Sequence, residues 1–307
     1  MKRVVITGAT SMIGISVLNA CIENGVEVLA VVRRNSINLK RIPISDLIEV
    51  IECDLDEFHS FPVDKYIDRK FDVFYHFAWE NTAKQYRDDA ILQNSNILYT
   101  LEAVKLSSKL GCHTFIGAGS QAEYGRVENI ISPNTSINPD TAYGVAKYAA
   151  GKLSSILCKS IGLRHIWGRI FSVYGIYDNK DTMIMYAVNR MLRREETEFT
   201  MCEQSWDYLY SKDAGMAFYL MGTKGKDGSV YCVGSGKTQL LYEYINNICD
   251  LIDQENSSGI GKKAYNENQV MHLCANISTL TEDTGFLPRY SFEEGITETI
   301  QWVRNLL

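Results

Sequence analysis

Apolar residues in the first half of the chain form short, uninterrupted runs that alternate with longer segments of helical period. The runs are VVIT (4–7), VEVLAVV (26–32), LIEVIE (47–52), FDVFYHFA (71–78) and HTFIGAG (113–119). Between them, apolar positions recur with helical spacing over 13–24 and 90–110. Runs without polar alternation are typical of parallel strands that are buried on both faces. The pattern therefore predicts an α/β fold over residues 1–170, with a doubly wound parallel sheet and right-handed crossovers.

Beyond residue 170 the pattern changes to helical segments separated by short strands. Helices are expected at 183–195, 240–252 and 292–305, and strands at WDYLY (206–210) and SVYCVG (229–234). We interpret 171–205 and 234–307 as a smaller, mostly C-terminal α/β lobe that binds substrate at the carboxyl edge of the sheet. Residues 206–233 are expected to return to the first domain. Because no repeat or proline-rich linker interrupts the chain, the two lobes are expected to pack closely.

Composition and charge limit the classes of partner. The chain has 307 residues, 46% of them hydrophobic, which is sufficient for one large or two modest cores. The net charge is -6 and no long basic block occurs, so neither nucleic acid nor an anionic membrane is expected as the main partner. The first apolar run is too short for a signal sequence and no segment has the length of a membrane span, so a cytoplasmic protein is expected. The eight cysteines are scattered singly without zinc-site spacing, which predicts reduced, mostly buried side chains and no metal site.

The sequence VVITGATSMIG (4–14) is a candidate phosphate-binding loop. A strand is expected to end at Thr7, Gly8 follows at once, and a helix opens near Ser11. Backbone N–H groups and a helix N-terminus therefore meet where a pyrophosphate can bind. Ser11 stands where such loops usually carry a further glycine, and we expect its hydroxyl to contact phosphate in place of the backbone. A plain strand-to-helix turn is the alternative.

The end of the second strand indicates the type of cofactor. Arg33 and Arg34 stand where a carboxylate binds the ribose 2′-OH of NAD or an arginine binds the 2′-phosphate of NADP. Because no acid follows the strand, NADP(H) is the expected cofactor and NAD(H) the alternative. Ordinary solvated charges after a strand are the other interpretation of the two arginines. Asp54 is a candidate for the adenine amino group, while Ala78 and Trp79 either border the nicotinamide ribose or belong to the core. The residues predicted to bind the cofactor are Gly8, Thr10, Ser11, Met12, Ile13, Gly14, Arg33, Arg34, Asp54, Leu55, Phe77, Ala78, Trp79, Asn96, Tyr143 and Lys147.

A tyrosine and a lysine one helical turn apart are the candidate catalytic pair. The pattern Tyr-x-x-x-Lys occurs four times, so context must select among the copies. Tyr143 and Lys147 share a face of a helix that is expected over 139–157. The preceding strand HTFIGAG brings Ser120 to the carboxyl edge of the sheet, where open α/β sheets bind ligands. This convergence selects Ser120, Tyr143 and Lys147 as the catalytic residues.

These three residue types suit proton transfer coupled to hydride transfer. A phenol has an ordinary pKa near 10, and a neighbouring ammonium favours its ionised form. We therefore expect Lys147 to lower the pKa of Tyr143 and to hold the nicotinamide ribose. Ser120 is expected to hydrogen-bond the reacting oxygen while Tyr143 exchanges its proton. A surface Tyr–Lys pair on an amphipathic helix is the alternative.

An ordered set of motifs resembles the extended short-chain dehydrogenase/reductases of the NAD-dependent epimerase/dehydratase family. The motifs are Thr7-Gly8-x-x-x-x-x-Gly14, Ser120 with Tyr124-Gly125, Tyr143-x-x-x-Lys147, RIFSVYG (169–175), WDYLYSKDA (206–214) and GFLP (285–288). The resemblance covers essentially the whole chain. It implies a Rossmann domain, a nicotinamide cofactor, a nucleotide-activated sugar as substrate and a homodimer formed through a helix pair.

The chain departs from the family pattern where substrate is expected. The group often has Asn where Ser172 stands and Arg where Trp206 stands, and both contact the nucleotide diphosphate. Phosphate binding is therefore expected to shift toward Arg190, Arg193 or Arg194, or the substrate is not a usual nucleotide sugar. Trp206 either stacks on a base or sugar face or packs between the lobes. The residues predicted to contact substrate are Gln121, Glu123, Ser172, Arg190 and Trp206.

Two activities that the motifs or the related enzymes suggest are not expected. Relatives that are 4,6-dehydratases carry Asp-Glu after the catalytic hydroxyl residue, whereas this chain has Gln121 and Ala122. The stretch VGSGKT (233–238) is similar to the phosphate loop of kinases and ATPases, but Tyr231 stands where that loop needs glycine. We therefore assign VGSGKT to a strand end that leads into the C-terminal lobe.

Three functions remain in view. The first is an NADPH-dependent reductase of a 4-keto-6-deoxy nucleotide sugar, which Arg33 and Arg34 support because net reduction needs an exchangeable reduced cofactor. The second is a nucleotide-sugar 4-epimerase with tightly bound NAD. The third is a non-catalytic cofactor-sensing protein, against which the intact catalytic set argues. The reductase is our leading prediction.

Overall fold

The apolar runs of the first half form a parallel sheet in the computed structural model, which describes residues 1–252, 258–267 and 269–307. The strands of these residues are β1 (Arg3–Thr7), β2 (Glu27–Val32), β3 (Ile48–Glu52), β4 (Val73–His76), β5 (Thr114–Ser120), β6 (Arg164–Ile170), β7 (Ser172–Tyr174), β8 (Ser205–Trp206), β9 (Tyr208–Tyr210), β10 (Val230–Val233), β11 (Gln239–Leu240) and β12 (His272–Leu273). Across the described ranges, seven of them form one sheet in the order β10-β6-β5-β4-β1-β2-β3, with every neighbouring pair parallel. The predicted doubly wound Rossmann fold is confirmed.

The strand order reverses beside β1. The chain runs outward from β1 through β2 to β3 and then returns to the opposite side of β1 for β4, β5 and β6. Val5 of β1 accordingly pairs with Leu29 on one side and with Phe74 on the other. Open α/β sheets bind ligands outside the carboxyl ends of the strands at such a reversal. The topology therefore places the site beyond Thr7 and His76.

Helices cover both faces of the sheet. In chain order the helices of the described residues are α1 (Met12–Glu23), α2 (Ala90–Lys109), α3 (Ala142–Ser160), α4 (Met183–Leu192), α5 (Ser211–Lys224), α6 (Leu241–Ile252), α7 (Ser278–Thr284) and α8 (Phe292–Arg304). Helices α1 and α5 pack together on one face, and α2 and α3 pack together on the other. Because side chains alternate along a strand, Val4 and Ile6 enter the core beneath α1 and α5, whereas Val5 enters the core beneath α2.

Local chemistry shifts two helix boundaries from the prediction. Helix α3 begins at Ala142 and not at 139, because the hydroxyl of Thr141 caps it by accepting the backbone N–H of Gly144 at 3.1 Å. Helix α4 ends at Leu192 and not at 195. The chain turns away at Arg194, whose φ of 57° is left-handed and cannot continue a helix.

A second apolar core lies among α4, α6 and α8, with Tyr174 and Tyr210 buried in it. The helix α7 does not belong to this core. Its residue Leu280 and the following Phe286 are buried in the cluster that contains β1 and α5. The division of the chain into two lobes stays a prediction, but within it the segment 278–286 lies with the sheet.

Three features bear on the class of protein: the burial of the cysteines, the hydropathy of the helices and the grouping of metal-ligating side chains. All eight cysteines are buried. Among the described helices, none combines the length and apolar character that crossing a bilayer requires. No cluster of three or more His, Cys, Asp or Glu side chains that could hold a metal ion occurs in the described ranges.

Candidate active site

A cleft of about 1010 Å³ opens at the carboxyl ends of β1, β2 and β4. Its walls come from the β1–α1 loop, from the segments that follow β2, β3 and β4, and from residues 177–180. This volume is large for a ligand site in a protein and suits an extended dinucleotide. The predicted cofactor residues that line the cleft are Gly8, Thr10, Ser11, Met12, Arg33, Asp54, Leu55, Phe77, Ala78 and Trp79.

The β1–α1 loop has the geometry of an anion cradle. Gly8 has a φ of 67°, and a Cβ there would lie 2.7 Å from the backbone nitrogen of Ala78, so only glycine fits. Ser11 caps α1, because its Oγ accepts the backbone N–H of Gly14 at 3.0 Å. The hydroxyl hydrogen of Ser11 stays available for a phosphate oxygen. With the N-terminus of α1 beside the cleft, these residues fit the pyrophosphate of a dinucleotide.

Gly14 and Ile13, also predicted to bind the cofactor, lie in the first turn of α1 and not on the cleft wall. A Cβ on Gly14 would lie 2.9 Å from the Cα of Ala9. Gly14 therefore lets the helix approach its own preceding loop, which is a packing role.

The two arginines that follow β2 lie in different environments. Arg33 lines the cleft, whereas Arg34 forms an ion pair with Glu57 at 2.6 Å and is not part of the wall. Asp54 also lines the cleft, and one of its carboxylate oxygens accepts the backbone N–H of Arg34 at 3.0 Å. Of the two predicted 2′-phosphate ligands, the structure thus brings Arg33 to the cleft and uses Arg34 elsewhere.

Arg41 supplies a further cation on the cleft wall, which the sequence analysis missed. Its Nη1 donates to the backbone carbonyl of Thr10 at 3.1 Å, and its guanidinium lies 4.7 Å from the ring centroid of Tyr177. Arg41 therefore connects the phosphate loop with the segment after β7. In the sequence it lies in an irregular segment far from any motif, so only its charge could have indicated it.

Ser120, Tyr143 and Lys147 meet at the carboxyl end of β5. The Oγ of Ser120 accepts the backbone N–H of Ala122 at 3.2 Å and lies within hydrogen-bonding reach of the Tyr143 phenol. Lys147 is buried, and its Nζ donates to the backbone carbonyl of Ala118 at 2.8 Å. One strand and one helix thus bring the three predicted catalytic side chains together.

Trp79 forms the cleft wall next to these three residues. The Nζ of Lys147 lies 3.6 Å from its ring centroid, and the Nε1 of Trp79 donates to Gln93 at 2.9 Å. Asn96 is buried, and its amide group bonds the backbone N–H and carbonyl of Glu80 at 2.8 and 3.1 Å. Asn96, which was predicted to contact the cofactor, therefore anchors the segment after β4 that carries Trp79.

A cation outside the predicted set, Arg87, lies beside Tyr143. Burial raises the pKa of Tyr143, and this is countered mainly by the Arg87 guanidinium, 5.1 Å from the phenol ring centroid. Burial lowers the pKa of Lys147 itself to about 7. The Nζ of Lys147 lies 5.8 Å from the same ring centroid, and its expected effect on the pKa of Tyr143 stays a prediction. Arg87 follows the end of β4 by eleven positions, and its backbone carbonyl accepts the N–H of Tyr143 at 2.8 Å.

Gln121 and Glu123 follow Ser120 in one short helical turn but have different surroundings. Glu123 was predicted to contact substrate, yet it is fully buried and its carboxylate accepts from the backbone of Ser120 and from Trp167 and Arg169. No carboxylate surface is left for a ligand, so its role lies inside the protein. In contrast, the side-chain oxygen of Gln121 is buried without a hydrogen-bond partner among the described residues, and its contact with substrate stays a prediction.

The two positions that depart from the family pattern are bonded to each other. The Nε1 of Trp206 donates to the Oγ of Ser172 at 2.7 Å. Arg190 does not join them, because its Nε donates to the backbone carbonyl of Glu196 at 2.6 Å. The structure thus brings together Ser172 and Trp206 but directs Arg190 to the end of its own helix.

The sequence VGSGKT encloses a carboxylate of the protein. Buried Asp207 accepts the backbone N–H groups of Ser235 and Gly236 at 2.7 and 3.1 Å, as well as the Ser235 hydroxyl. Burial raises the pKa of Asp207, and these donors counter it. Because an internal anion already occupies the N–H groups, this turn is not a phosphate loop.

A family model described as "NAD dependent epimerase/dehydratase family" matches residues 4–234. Over 98% of both chains, the sequence is 24% identical to a putative UDP-glucose 4-epimerase of Methanocaldococcus jannaschii. It is also 26% identical to dTDP-glucose 4,6-dehydratase of Escherichia coli, a match that spans 57% of this chain but only 52% of that enzyme. A solved UDP-glucose 4-epimerase of Thermotoga maritima, crystallised with UDP-glucose, superposes with a TM-score of 0.87 at 21% identity and 99% coverage of both chains.

Proposed function

Because the chain belongs to the NAD-dependent epimerase/dehydratase family, we propose that it transfers a hydride at C4 of a nucleotide sugar, in the direction that reduces a 4-keto-6-deoxy sugar. It is an enzyme of the extended short-chain dehydrogenase type. The observation that carries the proposal is the meeting of Ser120, Tyr143 and Lys147 beside a cleft with a phosphate cradle.

Each catalytic side chain has a role that its contacts support. Ser120 accepts the N–H of Ala122 and keeps its hydroxyl hydrogen for the reacting oxygen of the sugar. Tyr143 delivers the proton to that oxygen, and Arg87 stabilises the phenolate that results. Lys147 holds the ribose next to the nicotinamide and restores the proton. A bound nicotinamide cofactor supplies the hydride.

The residues on the wall of the cleft support a cofactor that carries a 2′-phosphate, as NADP(H) does. Arg33 and Arg41 both line it, together with the hydrogen-bonding side chains of Ser36 and Asn38. Two cations and two polar side chains next to the end of β2 suit the 2′-phosphate of NADP(H). NADPH is exchangeable, as net reduction requires.

A 4-epimerase with tightly bound NAD is the second candidate, and two observations favour it. Similarity to the putative UDP-glucose 4-epimerase extends along 98% of both chains. In addition, the contact between Arg41 and Tyr177 connects two walls of the cleft, which suits a cofactor that stays bound. The same three catalytic residues serve this reaction, because it oxidises and then reduces one carbon.

The nucleotide released from purified, denatured protein separates the two candidates. Stoichiometric NAD supports the epimerase, whereas an empty cleft with a preference for NADPH supports the reductase. Turnover is then measured with UDP-sugars and dTDP-4-keto-6-deoxy sugars for the wild type and for Tyr143→Phe. The variant is expected to lose turnover and to keep its cofactor affinity. Full turnover by Tyr143→Phe would contradict the assignment, and cofactor binding without turnover of any sugar would favour a sensing role.

We also propose that the protein forms a homodimer through α2 and α3. These helices pack together, and both expose large aliphatic side chains. Ile91 and Leu98 are seven residues apart on α2, and Val145 and Ile156 are eleven apart on α3, so each pair lies on one helix face. Two such faces suit a four-helix contact with a second copy.

A further inference from the structure

The turn that carries the catalytic serine is held by a buried carboxylate. Residues 121–123 form a single helical turn directly after β5, and it is closed reciprocally. The Oγ of Ser120 accepts the backbone N–H of Ala122 at 3.2 Å, and Oε1 of Glu123 accepts the backbone N–H of Ser120 at 2.9 Å. The backbone and the hydroxyl of Ser120 are therefore fixed by the same turn.

The Glu123 carboxylate is also held by hydrogen bonds from Trp167 and Arg169. Its Oε1 also accepts the indole N–H of Trp167 at 2.9 Å, and its Oε2 accepts the Nε of Arg169 at 2.7 Å. Arg169 is almost fully buried, and its Nη1 donates to the hydroxyl of Tyr124 at 2.8 Å. The carboxylate thus has three protein donors, of which the backbone of Ser120 is the one that faces the catalytic residues.

Two glycines make room for this arrangement. A Cβ on Gly119 would collide with Oε1 of Glu123 and would lie 2.8 Å from Cδ1 of Trp167. A Cβ on Gly151 of α3 would lie 2.7 Å from Cε2 of the same indole. The sequence GAGS before the turn and the glycine in α3 therefore leave the space in which the indole reaches Glu123.

Burying this ion pair is costly for the protein. Removing a carboxylate and a guanidinium from water costs several kcal/mol per ion, and an apolar pair of similar volume is often as stable. Stability alone therefore gives a weak reason for Glu123 and Arg169. Their connection to the backbone of Ser120 gives a stronger one.

We propose that Glu123, clamped by Trp167 and Arg169, is a positioning residue that aims the Ser120 hydroxyl at the reacting oxygen. This role rests on the proposed function, because Ser120 must contact the substrate oxygen. The Glu123 carboxylate reaches the catalytic residues through the backbone N–H of Ser120, which it accepts at 2.9 Å. It does not touch substrate, since it has no exposed surface.

A double-mutant cycle between Glu123 and Ser120 tests the proposal. Glu123→Ala is expected to lower kcat about 100-fold, the loss typical of a misplaced catalytic group, while KM and cofactor affinity change less than about 3-fold. In a Ser120→Ala background, the same substitution is expected to change kcat less than about 3-fold, because the residue acts through Ser120. Glu123→Gln keeps an acceptor for the Ser120 N–H and is expected to restore part of kcat. Equal losses in both backgrounds would overturn the proposal, as would an unchanged kcat.

Hydrogen exchange supplies a readout that needs no substrate. The amide of Ser120 is expected to exchange faster in Glu123→Ala, while the amide of Ile116 in the centre of β5 is unchanged. Unaltered exchange at Ser120 would contradict the positioning role. Accelerated exchange in a protein that turns over no sugar would instead contradict the proposed function alone.

Two further variants separate positioning from folding. Asp140→Asn removes an exposed carboxylate that pairs with Arg126 at 3.2 Å on the same side of the molecule, and it is expected to leave kcat unchanged. If Glu123→Ala does not fold, Trp167→Phe removes one donor to Oε1 without leaving a buried charge unpaired. Trp167→Phe is then expected to lower kcat in the wild type and to have little further effect with Ser120→Ala; equal losses would again overturn the proposal.

Discussion

At the scale of single residues, the reactivity of the candidate site depends on which cation lies nearest the phenol. Lys147 donates to a backbone carbonyl and packs on the ring of Trp79, and burial lowers its pKa to about 7. The guanidinium of Arg87 lies 5.1 Å from the ring centroid of Tyr143. A guanidinium from the segment after β4 therefore lies beside the phenol ring in addition to the lysine of the motif.

Replacing Arg87 is expected to shift the pH dependence of the reaction. Arg87→Ala removes the cation that counters the burial of Tyr143, so the pKa of Tyr143 rises further. The limb of the profile that requires the phenolate is then expected to move to higher pH in the oxidative direction. The measurement is kcat/KM against pH.

Arg87→Lys keeps the positive charge and is the matched control. Its profile is expected to stay close to that of the wild type, while Arg126→Ala, which removes an exposed arginine elsewhere, has no effect. Superimposable profiles for Arg87→Ala and the wild type would show that the charge of Arg87 does not act on Tyr143.

At the scale of elements, helix α1 combines a helix cap with a proposed phosphate contact at a single residue, Ser11. Ser11 caps the helix through its Oγ, and the residue also lines the cleft. A serine in place of the usual glycine thus stabilises the helix start while it leaves a hydrogen for phosphate. The two roles are separable because they use different parts of the hydroxyl group.

Substitutions at Ser11 are expected to separate stability from affinity. Ser11→Ala removes the cap and should lower the free energy of unfolding by about 1 kcal/mol. Ser11→Asp keeps an acceptor for the N–H of Gly14, so stability should be retained, but its carboxylate repels a pyrophosphate. We expect both variants to bind the dinucleotide more weakly, which urea unfolding and a fluorescence titration measure. Wild-type affinity in both variants would exclude a contact between Ser11 and phosphate.

The elements also show how far the sequence predicts this molecule. Uninterrupted apolar runs predict the strands well, because a parallel sheet that is buried on both faces needs them. Motif spacing likewise predicts the meeting of Ser120 with Tyr143. The contacts of Arg41 and Arg87 are not predictable in this way, because they depend on how irregular segments fold over the cleft.

Two polar side chains that the sequence assigns to ligand binding are buried and bond protein groups instead. Glu123 stands beside a catalytic residue, yet its carboxylate bonds Trp167 and Arg169, which are 44 and 46 positions away. Asn96 lies on α2 and bonds the backbone of Glu80. A polar side chain near a site can serve either ligand or backbone, and only the tertiary structure decides between them.

At the scale of the whole molecule, buried imidazoles predict sensitivity to acid. Burial lowers the pKa of His76 to about 3 and that of His165 to about 4, both from 6.5. Between pH 6.5 and 4 the unfolded chain therefore binds more protons at these residues, and stability falls as pH falls. Asp178 acts in the opposite direction, because burial raises its pKa from 3.8 to about 6 and the folded form binds the proton first. Each buried imidazole contributes a loss of up to about 1.4 kcal/mol per pH unit over this range.

Urea unfolding as a function of pH measures this loss. His165→Phe fits between the rings of Phe115 and Trp167 and removes one of the two titrating groups. The hydroxyl of Ser154, which bonds His165, still donates to the carbonyl of Gly151. The variant is expected to show a flatter dependence of stability on pH than the wild type. An identical slope would mean that His165 does not contribute.

The proposed homodimer makes a prediction of its own. Ile156 is 66% exposed on α3, and a charge at that position is not compatible with an apolar contact between two copies. Ile156→Asp is expected to yield monomers in analytical ultracentrifugation. Ile67→Asp, at an isoleucine that is 75% exposed far along the chain, is the matched control and should sediment like the wild type. A wild type that is already monomeric would contradict the dimer.

The packing of α5 against α1 means that the first 170 residues do not make a complete unit. A fragment cut there would lack α5, α7 and β10, so the aliphatic side of α1 would face water. The edge of β6 would lose its hydrogen-bonding neighbour and could pair with other chains. Such a truncated piece should aggregate on expression, and exchange of the C-terminal half between relatives would have to keep residues 206–233 and 278–286 with the sheet that they complete.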